Sequence, residues 1–211
     1  DGLVKGDISS CEFGDKSSEK SILLVGGSRV AHWEPLFSYI GRKDGFKVIT
    51  ATINGCSFGY HPKLESDTNC QDWNNKVIKF ISNLDPKPKV VIVNSSRSDA
   101  DSEYTPSGYI RNIKEVLSLE IPVIGIRINP EFNYPDVCLR RNSDDISKCT
   151  TNASLSLKNK NPVVHVKKEE GLKNFYPVDF TNIICDNGVC PAAFNGYPAM
   201  RDKVHFTNSY I

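Results

Sequence analysis

Net charge is nearly absent from this sequence. Its 26 lysines and arginines stand against 25 aspartates and glutamates, a formal +1. That leaves no field strong enough to draw nucleic acid or an anionic membrane surface, so no nucleic-acid partner is expected. No apolar run approaches the roughly 20 residues that span a bilayer, and the chain opens at Asp1 without a charged-then-apolar signal segment. The expectation is a piece that is soluble by itself and belongs to something longer. CxxC pairs are missing, and no His, Asp or Glu cluster stands at ligand spacing, which argues against a zinc site or any other metal. Phosphate-binding turns are missing as well: the stretch GGSRVA at 26–31 has neither the third glycine of GxGxxG nor the lysine of GxxxxGK[ST]. With Val30 in place of its last glycine, it is not a GxSxG elbow either. No cofactor is implied.

What the chain does have is cysteine, seven residues of it. Cys56 and Cys70 flank a loop rich in Gly, Pro, His and Asn, Cys138 and Cys149 flank a polar loop, and Cys185 and Cys190 bracket the tetrapeptide DNGV. Three short-range disulfides are expected from that spacing, leaving Cys11 to pair with something upstream or with another chain. Such usage points to an oxidising compartment.

The 39% apolar content suffices for one good core. Residues 1–20, polar and rich in Gly, Ser, Lys and Asp, read as a linker, and 21–211 as the folded domain. Ser21–Val25 reads as a strand; Val30, Trp33, Phe37 and Ile40 then recur at helical steps, and Gly45 ends that unit. Phe46–Ile53 alternates as a strand, Trp73, Val77, Ile78 and Ile81 give a helix, and Val90–Ser96 is a strand covered on both faces. A helix from about Ser107 and a buried strand at Ile121–Ile128 follow. NPVVHV at 161–166, which carries His165, reads as a short strand or packing segment, and His61 as loop. Repeated strand–turn–helix units predict a parallel sheet in a three-layer α/β/α sandwich.

Ligands in such a sheet bind beyond the carboxyl ends of the strands. The turns Gly26–Gly27–Ser28, Asn54–Gly55–Cys56 and Asn94–Ser95–Ser96–Arg97 therefore share one rim. A serine hydroxyl needs a base to take its proton and a third group to orient that base. Asp202 stands three residues before His205, a spacing that sets a carboxylate against one ring nitrogen while the other faces outward. Ser28, His205 and Asp202 are thus the candidate nucleophile, base and orienting acid, against a bland reading of Ser28 as a helix cap. The backbone amides of Ser28 and Gly55, with Asn94 or Arg97, are candidate oxyanion donors. His32, one helical turn after Ser28, is expected at the surface or in a capping role.

The segments LLVGGSRVAHWEPLF, TINGC, VNSSR, IPVIGIRINPEF and DFTNIICDNGVCPAAFNGYPAMRDKVHF, with the cysteine pairs, resemble the SGNH (GDSL-like, flavodoxin-like) domain that follows acyltransferase family three membrane proteins, especially actinobacterial ones. The resemblance runs from about Cys11 to the end. It implies Ser28 as nucleophile, Gly55 as oxyanion donor, and Asp202 and His205 as the rest of the triad. Asn94 is the nearest match to the third-block Asn, with Ser96 and Arg97 as alternatives, and Arg29 stands where the family tends to carry His; Arg29 and Ser96 are the candidate substrate contacts. The implied protein is an extracytoplasmic O-acetyltransferase of a bacterial cell-envelope glycan or glycolipid (peptidoglycan, polysaccharide or trehalose mycolate), tethered through an N-terminal acyltransferase-3 membrane domain. A carbohydrate acetylesterase using water as acceptor and a non-catalytic glycan- or glycolipid-binding module are the alternatives.

Overall fold

The fold is described from a computed structural model, for residues 3–5, 8–59, 68–99 and 102–211. In chain order the strands are β1 (Leu3–Lys5), β2 (Ile8–Gly14), β3 (Ser21–Gly26), β4 (Lys47–Thr52), β5 (Val91–Asn94), β6 (Arg97–Asp99), β7 (Ser102–Tyr104), β8 (Val123–Ile126), β9 (Thr150–Asn152), β10 (Phe175–Val178), β11 (Val189–Pro191), β12 (Ala193–Phe194) and β13 (Tyr197–Pro198). The α-helices are α1 (Ser28–Ala31), α2 (Glu34–Asp44), α3 (Thr68–Ser82), α4 (Ser107–Ser118), α5 (Pro135–Arg141), α6 (Pro162–Glu169) and α7 (Thr181–Ile184).

A seven-stranded sheet runs in the order β1-β2-β4-β3-β5-β8-β10. From β4 to β10 the neighbours are parallel; β2 pairs antiparallel with β4, and β1 antiparallel with β2. Alternation along the strands sorts the core onto two faces. Leu23, Val25, Val91, Val93 and Val123 meet the apolar sides of α3, α4 and α6, while Leu24, Val48, Ile92 and Ile126 meet Val30, Trp33, Ile184 and the disulfide-rich segment. Two apolar faces, each covered by helices, make the expected three layers, with a mixed, mostly parallel sheet instead of a wholly parallel one.

The differences from expectation lie outside the repeats. Residues 8–14 are not a linker: they form the antiparallel strand β2, with Ile8 buried in the core and Cys11 opposite Thr50. The polar composition that suggested a linker is that of a strand near the sheet edge, most of whose residues are only partly buried. NPVVHV is the start of α6: the Asn161 side chain caps it by accepting from the Val163 N–H at 3.0 Å, and Pro162 takes the first position, where no N–H is needed. His165 accordingly lies on a helix, exposed, 3.0 Å from Glu169 one turn later. The helix expected through Val30 and Ile40 is broken into α1 and α2, with Pro35 in the first turn of the second. Gly45 ends it as expected, in the left-handed conformation with φ +74°. His61 lies outside the described residues.

All three expected disulfides are formed: Cys56–Cys70, Cys138–Cys149 and Cys185–Cys190. Cys11 has no disulfide partner among the described residues. No helix among those residues is long and apolar enough to cross a membrane.

Candidate active site

Strand order reverses at β3, whose neighbours are β4 on one side and β5 on the other. The carboxyl ends beside such a reversal leave a crevice. Here the three predicted turns come together as the wall of a cavity of about 200 Å³, to which Ser28, Arg29, Gly55, Asn94, Ser96 and Arg97 all contribute. Two glycines shape it. A side-chain carbon on Gly27 would stand 2.7 Å from the Cys56 carbonyl oxygen, so the first and second turns touch only because residue 27 has none. Gly55 has φ +83°, a conformation that disfavours any side chain.

Ser28 is the first residue of α1, directly after this turn. Its Oγ lies 2.8 Å from His205 Nε2, across 177 residues of sequence. On the far side of the ring, Nδ1 lies 2.8 and 2.9 Å from the two Asp202 oxygens. The same carboxylate accepts the backbone N–H groups of Val204 and His205, each at 3.0 Å. Burial alone pushes the Asp202 carboxyl up, but the bonds from the Val204 amide and the His205 ring and amide outweigh it and hold the pKa down at about 2. An ionised carboxylate only accepts, so Nδ1 carries the proton and a neutral ring turns its Nε2 lone pair to the serine O–H.

The segment bearing Asp202 and His205 is a loop outside the main sheet. A bridge between Met200 and Phe206 closes it, Arg201 N–H donates to the His205 carbonyl at 2.8 Å, and Phe132 N–H donates to the Lys203 carbonyl at 2.9 Å. Asn129, only 4% exposed, donates its amide to the Val204 carbonyl at 3.1 Å. Glu131 accepts from Arg29 Nη2 at 2.8 Å and from Lys203 Nζ at 3.0 Å, linking the Ser28 turn to the histidine loop. Burial raises the Glu131 carboxyl, and these two cations more than reverse it. Asn129 and Glu131 went unassigned in the sequence reading; their partners are far away in the chain, and only the position of INPEF directly after a buried strand pointed to them.

The remaining candidates divide. Asn94 ends β5 and lines the cavity. Arg97 also lines it, with Nε held by Asp99 Oδ1 at 3.2 Å. Ser96 lies at the wall, but its hydroxyl is committed inward: it donates to Glu103 Oε1 at 2.8 Å and accepts the Ile128 N–H at 3.2 Å. Glu103 is itself buried against Arg127, which holds it through Nε at 2.9 Å and Nη2 at 2.6 Å and reaches Asp179 through Nη1 at 2.8 Å. Ser96 therefore braces the wall, with its hydroxyl turned away from a ligand. His32 is not at the surface; it is 8% exposed, packed on Trp33 and Phe206, with its ring centre 6.0 Å from that of His205. Neither of its nitrogens has a hydrogen-bond partner among the described residues, and burial, with His205 next, pulls its pKa down to about 3.

No curated protein matches the chain. A family model described as an SGNH domain (fused to AT3 domains) matches residues 2–210, nearly the whole length and including β2. That match sets the chain's function among acyl-transfer-related activities, and an AT3 domain beside it in the full-length protein. The chain belongs to the SGNH domain family found fused to AT3 domains.

Proposed function

We propose that this domain is a serine-dependent O-acyltransferase that passes an acetyl or other acyl group to a hydroxyl of a cell-envelope glycan or glycolipid on the extracytoplasmic face of a bacterial membrane. The observation that carries the reading is the unbroken chain of short hydrogen bonds from Ser28 Oγ through the His205 ring to Asp202, at 2.8 Å and 2.8–2.9 Å. Hydrogen-bond contact between nucleophile and base, with the base oriented by a carboxylate, is the arrangement that activates a hydroxyl.

In the first half-reaction Ser28 Oγ attacks the acyl carbonyl while His205 Nε2 takes its proton. The oxygen of the tetrahedral intermediate is held by the Ser28 and Gly55 amides, with Asn94 or Arg97 beside them. Its collapse breaks the bond to the leaving group, which takes the proton from His205. In the second half-reaction the acceptor hydroxyl gives its proton to His205 and attacks the acyl-serine; the Ser28 Oγ–acyl bond breaks, and Oγ takes the proton back from His205, restoring the free enzyme. Asp202 stays ionised throughout, stabilising the imidazolium formed in both halves. Three disulfides among the described residues support an oxidising compartment, and the AT3 fusion supports a membrane partner that delivers the acyl group.

Turnover of an activated acetyl ester in the presence of a sugar acceptor tests this. O-acetyl sugar made by the wild type and by neither Ser28→Ala nor His205→Ala is the expected product. Free acetate alone, from the wild type only, would make the domain an esterase, and equal turnover in all three would leave a binding module.

A further inference from the structure

Arg29 and Arg97 line the cavity beside Ser28, and among the described residues no aspartate or glutamate does. Arg29 gives Nη2 to Glu131, but its Nη1 is buried with no hydrogen-bond partner among the described residues. A charged donor taken out of water without an acceptor is costly, which marks a place for an acceptor to arrive. Local charge points the same way. Arg29 and Lys203 share the single carboxylate of Glu131, whereas Arg97 is matched by Asp99, whose other oxygen accepts the Tyr104 hydroxyl at 2.7 Å. The lining itself therefore carries two cations whose counterions, Glu131 and Asp99, lie outside it. An acetyl group and a neutral sugar supply no charged acceptor for them. A carboxylate does, and its geometry matches the planar fork of a guanidinium.

We propose that the substrate held next to Ser28 carries a carboxylate, bound by Arg29 with Arg97 adding to the field. This rests on Ser28 being the acylated nucleophile, and it names the substrate class for that site. The charge sits either on the acyl group, as the half-ester of a dicarboxylic acid, or on the acceptor, as a uronic acid. The bonds made and broken are those already given: Ser28 Oγ displaces the donor's alcohol, which leaves with the proton from His205, and the acceptor hydroxyl then displaces Ser28.

The test compares 4-nitrophenyl acetate with 4-nitrophenyl hemisuccinate as donors, and methyl glucoside with methyl glucuronide as acceptors, following acylation by mass and transfer by product analysis. The quantity read is the ratio of kcat/KM for the charged over the neutral member of each pair, which a general loss of fold or of serine reactivity does not move. A ratio of at least about tenfold in one pair is expected, falling toward one in Arg29→Gln, falling less in Arg97→Gln, and partly kept in Arg29→Lys. Which pair shows it identifies the charged partner. Ratios near one in both pairs, with Ser28 acylated by the acetate ester, overturn the carboxylate and leave the serine mechanism standing. A preference that survives Arg29→Gln and Arg97→Gln overturns it equally. Acylation by neither ester overturns both.

Discussion

The two ends of the Ser28–His205–Asp202 chain are built by different means. Ser28 follows β3 by two residues; that strand is bonded on both sides, with Leu23, Leu24 and Val25 fully buried, and the turn is pressed on the Cys56 carbonyl through Gly27. His205 stands on a loop that belongs to no strand of that sheet. It is held by Asn129, by Glu131 through Lys203, and by backbone bonds such as Ala199 N–H to the Ala192 carbonyl, in a segment stapled by Cys138–Cys149 and Cys185–Cys190. Apolar burial in the sheet fixes Ser28. His205 has one buried apolar anchor beside it, Phe206, and is otherwise held by many small polar bonds, so the two ends should fail under different changes.

The largest effect is expected at the polar end. Asp202→Asn keeps the shape but loses the charge that orients and stabilises the His205 ring, and the acylation rate should fall about 10³–10⁴-fold in single-turnover measurements while the thermal midpoint falls only modestly. Glu103→Gln should do the reverse. Its carboxylate is fully buried against Arg127, with side-chain exposures of 0% and 5%, so removing the charge leaves that buried guanidinium only the part-exposed Asp179 as counterion. A loss of about 3–5 kcal/mol in urea unfolding is expected, well above that of Asp202→Asn. Next come the disulfides. By loop size, opening Cys56–Cys70, a separation of 14, costs about 3 kcal/mol, and opening Cys185–Cys190, a separation of 5, about 2 kcal/mol. If the comparison holds, the smaller loss of stability goes with the larger loss of acylation rate, because Cys190 is two residues from Ala192, which backs the histidine loop.

A further effect is spread over pH. His32 is held neutral when folded, down to about pH 3, against an ordinary 6.5. Between those values the unfolded chain binds a proton that the folded one refuses, so stability falls as pH drops from 6.5 toward 3, by at most about 1.4 kcal/mol per pH unit, and changes no further below. His32→Phe should flatten that slope in denaturation curves taken between pH 4 and 6.5. An unchanged slope would mean that His32 is not buried neutral.

The same contrast decides what could be read from sequence. Strands β3, β4, β5 and β8 are apolar runs bounded by turn residues, and α3 and α4 keep helical spacing; burial on a regular element leaves a periodic trace, and the three-layer fold followed from it. Strand β2 left no such trace, because ISSCEFG buries few of its residues deeply and its polar ones read as linker. Helix α6 is too short to show a period, with Val163 as its one buried position, and only the Asn-Pro start marked it. Ser28, Asp202 and His205 were legible because turn chemistry and a three-residue spacing are local signals. The grip of Glu131 on Arg29, 102 residues away, and of Asn129 on Val204, 75 away, has no local signature. Nor does the commitment of Ser96 to Glu103, since a serine at a strand end looks the same whichever way its hydroxyl turns.

The most direct test of the account is intact-mass and peptide mapping of the domain after brief exposure to an activated acyl ester, with Ser28→Ala and His205→Ala alongside. The account predicts a single acyl adduct on the peptide bearing Ser28, absent in Ser28→Ala and formed far more slowly in His205→Ala. An adduct elsewhere, or one formed equally in all three proteins, would contradict it.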